Sequence, residues 1–263
     1  MIRINEDLCT GCGACVSDCI SGVLSITQGK AHVCDECLQC GHCIAICPQA
    51  APSISVYSDE PIEYHSETFD IPTQNMLNTI KFRRSVRQFK EQLLSYDDLH
   101  LLIDAAAHTP TAKNAQACRF VFIQDSLEDF KRTIWSNLRS AFEEQRELPI
   151  PRESVQNFLN LREGEHPQDY LFRNAPAVLC IQAPDPVDAG LAASAIEMVG
   201  TTLGIGVLYN GYLRRTIAAM EDIQAYLDMD LEEKPLVVCM LMGYSDVKYQ
   251  RTAPRRNPSV VLR

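Results

Sequence analysis

The sequence predicts a chain of mixed helix and strand in two unequal parts, and three observations carry that expectation. Nine of the twelve cysteines fall within residues 9–47. The N-terminal stretch also holds an internal duplication, DLCTGCGACVSDCISGVLSI answered by DECLQCGHCIAICPQAAPSI. From Met76 onward the texture changes to short apolar runs alternating with longer stretches of helical period. At 263 residues, two domains is the first expectation. Boundaries are drawn at residues 1–57 for the cysteine-rich module, 58–75 for a linker and 76–263 for the larger domain.

Composition narrows the class. Hydrophobic residues make up 46% and charged residues 22%, as in a soluble globular protein with a core. A formal charge of −10 argues against nucleic acid or an anionic membrane as partner. Residues 1–57 hold 2 Lys/Arg and 5 Asp/Glu, so both parts are acidic. Met1 leads straight into strand-like IRIN and the first cysteines, and no apolar run approaches the ~20 residues that span a bilayer. A cytoplasmic, reducing setting is expected, and a secreted disulfide scaffold is not. Cys118, Cys180 and Cys239 each read as isolated cysteines in apolar surroundings.

Each half of the duplication supplies a short strand, a cysteine loop and one helical turn, too little core to stand alone. SDEPIEYHSETFDIPTQN carries two prolines and five acids with little periodicity, which reads as a linker. MLNTIKF reads as a helical turn and Lys90–Leu94 as extended. Ser95 with Asp98 three residues on predicts a capped start to a helix through LHLLIDAAAH. RFVFIQ reads as a buried strand, 127–147 and 152–163 as amphipathic helices, and AVLCIQ as a further strand. Asp188 is expected to open a long helix with Ala189, Ala192, Ala193, Ile196, Val199, Gly200 and Leu203 at helical spacing. GVLY, two short helices and the central strand PLVVCMLMG follow, then an extended basic tail.

CLQCGHCIAICP, residues 37–48, has the spacing C-x-x-C-x-x-C-x-x-x-C-P, which holds an iron–sulfur cubane. Three thiolates on one tight loop grip three corners of a cube, and the distal fourth serves the other cluster. The first motif repeats the spacing. Cys9, Cys12, Cys15 and Cys47 are therefore expected to hold one cluster, and Cys37, Cys40, Cys43 and Cys19 the other. A zinc site would use separated pairs of cysteines rather than this doubled pattern. Ile20 stands where the motif would have Pro, so the packing around Cys19 is expected to differ. Cys34 is an extra cysteine that could replace a ligand; the spacing to Cys43 and Cys47 sets the register without it, and a free thiol is the preferred reading. His42 reads as a surface residue tuning the second cluster.

Gly204 and Gly206 make only a lone G-x-G in a helix-to-strand turn, so dinucleotide binding by that route is rejected. Arg83, Arg84, Ser85 and Arg87 place three guanidiniums and a hydroxyl within five residues, which suits a phosphate dianion. A solvated basic helix end explains the same residues equally well. The six histidines, at 32, 42, 65, 100, 108 and 166, show no metal-ligand spacing. No Ser–His–Asp or Cys–His nucleophile set is visible, so no side chain is named as catalytic.

The order RRSVRQF, a helix, PTAKNAQ, LGIGVLYNG, then a strand ending in GY and a basic tail resembles the nitroreductase family of FMN enzymes, over roughly residues 76–263. Residues 1–57 resemble a two-cluster bacterial ferredoxin. The whole chain thus looks like a ferredoxin–nitroreductase fusion of the type found in anaerobic bacteria. The resemblance implies an α+β fold: a small ferredoxin-like module, then an FMN-binding α+β sandwich that forms an intertwined homodimer. It also implies that Arg83, Arg84, Ser85 and Arg87 bind the FMN phosphate and ribityl chain. Pro110, Thr111 and Asn114 match a loop from the neighbouring subunit, with Asn114 at the flavin's polar edge. Leu208, Tyr209, Asn210 and Gly211 match the turn against the ring, where the Asn210 backbone N–H would bond flavin N5. Many relatives have an acidic residue at that position. Lys248 and Arg251 match the basic C-terminal contact to the phosphate. The small-residue face after Asp188 suits a dimer helix, and a buried helix of a monomer equally.

Flavin exchanges one-electron for two-electron chemistry. The expected function is an FMN oxidoreductase fed through its own clusters by reduced ferredoxin or another low-potential donor. It would reduce a small organic acceptor such as a nitroaromatic or quinone. A relay flavoprotein and a dehydrogenase run in reverse are the alternatives. Residues 127–170 are expected to form a lid, with Phe130, Trp135, Phe142 and Phe158 as core or substrate wall. Tyr209 and Tyr212 read equally as neighbours of the flavin ring or as core, and His108, the histidine nearest the flavin loop, reads as structural or surface by default.

Overall fold

The computed structural model describes residues 2–263 as two compact units. One runs to Ile71 and takes in Ala112–Ala115; the other holds Pro72–Thr111 and Gln116–Arg263.

In the first unit, β1 (Ile2–Ile4) pairs antiparallel with β4 (Pro52–Ile54), and β2 (Leu24–Thr27) with β3 (Lys30–Val33). Gln28 and Gly29 link β2 to β3 with positive φ of 50° and 73°, the sense that matches strand twist in a two-residue hairpin. The duplication is visible in the helices. Helices α1 (Ala14–Ser17) and α2 (His42–Ile46) both start behind a left-handed glycine, Gly13 at φ 78° and Gly41 at φ 76°. The core is small: Ile2, Leu24, Ala31, Ala51 and Ile54, together with Cys9, Cys15 and Cys43.

The stretch expected as a linker is partly helical. Residues 58–65 have no regular structure, but α3 spans Ser66–Phe69 and α4 spans Thr73–Phe82. Prolines 61 and 72 sit ahead of helices rather than inside them, where the missing N–H costs nothing. None of the α4 side chains is buried, although Met76, Leu77, Ile80 and Phe82 are apolar.

The second unit is built on an antiparallel sheet in the order β5-β6-β8-β7, made of Arg119–Ile123, Ala177–Gln182, Leu236–Tyr244 and Ile205–Tyr209. β6 is fully buried, and its alternate residues feed two cores. Val178 and Cys180 join the side packed by α6 (Leu127–Glu143), α7 (Arg152–Glu163), α9 (Gly211–Ala218) and α10 (Glu221–Tyr226). Ala177, Leu179 and Ile181 join the other, packed by α5 (Tyr96–Ala107) and α8 (Pro186–Thr202). This is the expected α+β sandwich. β5 departs from expectation: as an edge strand it is mostly half-buried.

Helix α5 begins where its cap predicts, with Ser95 Oγ accepting from the Asp98 N–H at 3.1 Å. Helix α8 begins earlier than predicted. Asp185 caps it by accepting from the Val187 N–H at 2.8 Å, Pro186 occupies the first turn, and Asp188 is already inside. Phe130, Trp135 and Phe158 are core residues, with Phe172 edge-on to Phe130 and Trp135, and Phe142 packs against that core. Cys180 and Cys239 are not isolated. They are register partners across β6 and β8, with side chains in hydrogen-bond contact. Among the described residues, no helix is long and apolar enough to cross a membrane.

Asp169 shows how burial couples to pH. Its carboxylate accepts from the Phe172 N–H at 3.1 Å, yet burial raises its pKa above the ordinary value near 3.8. The folded state therefore holds this proton more tightly, and stability falls as pH rises from the unfolded value through the folded one. Asp169→Asn is expected to raise the melting temperature at pH 7 and to lose that advantage near pH 3, as thermal unfolding at the two pH values will report.

Candidate cofactor sites

Cys9, Cys12, Cys15 and Cys47 line one cavity in the first unit, beside Gly11 and Ala31. Cys47, from the second motif, thus joins the three cysteines of the first. Backbone amides point at the sulfurs: Ala31 N–H to Cys9 Sγ and Ala51 N–H to Cys47 Sγ, both at 3.4 Å. Such bonds favour the thiolate, and the Cys9 pKa is lowered by those from Ala31 and Gly11. Burial pushes Cys15 up, with Cys47, Cys9 and Cys12 adding to it. Gly11 is indispensable here: a Cβ on it would lie 2.1 Å from the Gly29 carbonyl oxygen, and its φ is +70°.

The other four cysteines are less tightly enclosed. Cys43 is buried and its thiol pushed up to about 11 by that burial, with Cys37, Cys15 and Cys40 adding to the effect. Gln39 N–H donates to Cys37 Sγ at 3.3 Å. Cys19 is half-buried against the same small core. His42 Nδ1 lies 3.2 Å from Asp18 Oδ2, which joins the residue before Cys19 to the residue before Cys43. Ile20 is 88% exposed, so the position that lacks proline faces solvent. Cys34 is exposed too, its Sγ 2.9 Å from Ser25 Oγ. Among the described residues, no three His, Cys, Asp or Glu side chains draw together around a single metal ion.

Asn114 lies in the first unit. Its Nδ2 donates to Leu38 O, Gln39 O and Tyr57 Oη, each at 3.1 Å, and Tyr57 Oη donates to Gln39 O at 2.8 Å. The amide expected at a flavin edge is engaged with the loop that carries Cys37 and Cys40. Lys113 and Asn114 are both left-handed, with φ of 53° and 55°.

In the second unit the arginine segment is laid along the sheet. Ser85 forms a parallel bridge with Val207, and Val86 N–H donates to Val207 O at 3.0 Å. Gly206 permits this approach, because a Cβ there would lie 2.5 Å from Val86 Cβ. The C-terminal stretch returns to the same segment, with Tyr249 Oη donating to Ser85 O at 3.3 Å. Arg83, Arg84, Glu197, Thr201, Lys248 and Tyr249 line a cavity of about 380 Å³ here. Two guanidiniums and an ammonium thus share one opening with one carboxylate. Arg83 Nη1 donates to Glu197 Oε1 at 2.9 Å, and Glu197 is buried. The Tyr209 hydroxyl meets the same carboxylate; burial, then the Glu197 charge, raises its pKa well above the ordinary value.

The remaining expected residues divide. Ser85 and the Leu208–Gly211 turn adjoin this cavity in sequence without lining it, and Arg87, Pro110, Thr111 and Arg251 do not line it either. Thr111 Oγ1 accepts from Gln116 N–H at 2.9 Å. His108 is exposed, its Nδ1 2.9 Å from Asp104 O. The backbone N–H of Asn210 is corrected as a flavin donor, because it donates to Cys239 O at 2.8 Å inside the sheet. Asn210 has a structural task instead. Its Oδ1 accepts from Leu213 N–H at 2.9 Å and caps α9, while Nδ2 donates to Leu171 O at 2.7 Å. Asn210→Asp keeps the cap and turns an acceptor on the Leu171 carbonyl. A loss of about 1–3 kcal/mol in denaturant unfolding is expected.

Glu197 and Thr201 were not anticipated. The available signal was a carboxylate on a helix whose neighbours at core spacing are Ala193, Ile196 and Gly200, since Glu is almost never buried unless paired.

Comparison with known proteins follows the same division. Residues 80–244 match the model of the nitroreductase family, and residues 1–24 match that of a 4Fe-4S binding domain. The chain is 22% identical over 151 residues to an FMN reductase (NADPH) of Bacillus subtilis, covering 57% of this chain and 59% of the relative. Over 44 residues it is 43% identical to one component of an ion-translocating oxidoreductase complex of Methanosarcina acetivorans, covering 16% of this chain and 17% of the relative. It therefore spans little more than half of the first relative and a small part of the second. A crystal structure of a nitroreductase with bound FMN from Desulfitobacterium hafniense shares the fold, with TM-score 0.56, 21% identity, and coverage of 71% of this chain and 97% of that one.

Proposed function

The chain belongs to the nitroreductase family, a flavin-dependent oxidoreductase with a 4Fe-4S ferredoxin-type motif at its N-terminus, and from that premise we propose that its cysteine module supplies electrons to an FMN. The observation that carries this reading is Cys47 lining the cavity of Cys9, Cys12 and Cys15. A fourth ligand exchanged between two motifs is the arrangement of a two-cluster module. We assign Cys9, Cys12, Cys15 and Cys47 to one 4Fe-4S cluster, and Cys37, Cys40, Cys43 and Cys19 to the other. The first donor set fits: its four thiols line one cavity, and main-chain amides are aimed at the Cys9 and Cys47 sulfurs.

The cavity at Arg83, Arg84 and Lys248 fits a phosphate, since three cations face it and its single carboxylate is already paired with Arg83. Arg83 and Lys248 would hold the FMN phosphate, with Arg84 and Ser85 toward the ribityl chain. Leu208, Tyr209 and Gly211 would lie toward the ring; Gly211 opens α9, where the first amides of a helix have no partner within it. Arg87, Pro110, Thr111, Asn114 and Arg251 stay candidates through the family resemblance. Bound FMN supplies the step from single electrons to a two-electron reduction. The protein's own part is to hold the phosphate, seat the ring and leave one face open.

The proposed reaction is reduction of a small organic acceptor, a nitroaromatic or quinone, with reduced ferredoxin or another low-potential donor. The working form is proposed to be a cytoplasmic homodimer. The α4 helix supports the dimer, since its apolar Met76, Leu77 and Ile80 stay 40–48% exposed within the chain. Anaerobic turnover with a nitroaromatic acceptor, reduced ferredoxin against NAD(P)H, tests the reading. Efficient turnover with NAD(P)H alone is the result that sinks it.

A further inference from the structure

The two cysteine loops are equivalent in spacing but differ in charge. Lys30, the first residue of β3, is half-buried and turned onto the first loop. Its Nζ donates to Cys9 O and to Glu6 O, both at 2.7 Å. The next residue, Ala31, donates its N–H to Cys9 Sγ. One strand end therefore fixes a cation on the main chain of Cys9 and an amide on its sulfur. Lys30 and Arg3 are the only lysine or arginine in residues 1–57.

Among the described residues no lysine or arginine is bonded to the second loop in this way, and Lys113, next to Asn114 in the same unit, is exposed. The loop's carbonyls at Leu38 and Gln39 are met by neutral donors, the Asn114 amide and the Tyr57 hydroxyl. Acids cluster along its ligands instead: Asp18 precedes Cys19, and Asp35 with Glu36 precedes Cys37. The first loop has Glu6 and Asp7 nearby, and Lys30 stands against the Glu6 main chain.

Adding an electron to a cluster adds negative charge, so a fixed cation beside it stabilises the reduced form and fixed acids oppose it. We infer that Lys30 is a positioning residue which makes the cluster of Cys9, Cys12, Cys15 and Cys47 the higher-potential member of the pair, so that an electron delivered to the module comes to rest there. The inference rests on the two-cluster reading above and adds an order to it.

The test is an anaerobic redox titration of the full-length holoprotein followed by electron paramagnetic resonance, with iron content measured beforehand. Lys30→Gln is expected to lower the higher of the two potentials by on the order of tenfold in the one-electron equilibrium constant, about 59 mV. The lower potential should move far less. Lys30→Arg keeps the charge and should hold both potentials near wild type. Asp35→Asn with Glu36→Gln, which leaves the first loop untouched, should raise only the lower one. The inference is overturned if Lys30→Gln moves the lower potential, moves both equally or moves neither, or if Lys30→Arg does what Lys30→Gln does. A wild-type protein with about four irons instead of eight removes the two-cluster reading itself, and that result appears before any variant is made.

Discussion

Cys47→Ser is expected to empty the cluster site proposed for the first motif although the residue lies in the second. Cys47 lines the cavity of Cys9, Cys12 and Cys15, and its sulfur accepts the Ala51 amide there. Serine offers an oxygen where the cluster needs a soft thiolate. Iron should fall from about eight to about four per chain while the second set keeps its own cluster. Flavin content should not change, because the arginine segment and Lys248 belong to the other unit. Ferredoxin-driven turnover should drop at least about 100-fold, a barrier increase of about 2.7 kcal/mol, because each tenfold in rate is 1.36 kcal/mol. Cys34→Ser is the matching control. That thiol is exposed and its sulfur meets Ser25 Oγ and His32 O, so iron and turnover should stay at wild-type levels. Four irons in Cys34→Ser and eight in Cys47→Ser would reverse the assignment.

Arg83→Ala is expected to damage both stability and flavin binding, and a second variant separates the two. Arg83 is the cation of a buried Glu197. Its removal leaves a carboxylate in a place built for an ion pair, which costs about 3 kcal/mol. That is the low end for such a break, because the Arg83 side chain is 31% exposed. It also removes one charge-assisted donor from the phosphate cavity, expected to weaken FMN by roughly 10- to 100-fold. Adding Glu197→Gln removes the orphaned charge. Most of the lost stability should return in the double variant, seen by thermal unfolding, while FMN affinity measured by flavin fluorescence stays weak. If affinity returns along with stability, Arg83 supports the fold and does not hold the phosphate.

What could be read in the sequence was what local chemistry decides. Spacing within one loop brings Cys9, Cys12 and Cys15 together, and the doubled motif is what points to Cys47 beside them; the four line one cavity. The start of α5 was legible because Ser95 and Asp98 meet within a single turn. Amphipathic period placed α7 and the start of α6, since each presents one face to a core, while α6 ends at Glu143 rather than at 147.

What could not be read depends on partners far along the chain. Asp185 rather than Asp188 caps α8, a choice between two acids that spacing alone leaves open. Cys180 and Cys239 looked isolated because only strand register makes them neighbours. The Asn210 amide looked available until β8 supplied Cys239 O as its acceptor. Glu197 could be suspected on an apolar helix, but its partner Arg83 is 114 residues away. Helix α4 was placed in part by its apolar residues, yet none of its side chains is buried.

Electrons are proposed to reach the flavin through the cysteine module. Rapid-mixing measurement of flavin bleaching under anaerobic conditions tests this route most directly, with reduced ferredoxin as donor, in wild type and in Cys47→Ser. Bleaching is expected in wild type, at least about 100-fold slower in the variant, and little by NAD(P)H in either. Equal bleaching rates in the two proteins, or rapid bleaching by NAD(P)H in both, would contradict the proposed route.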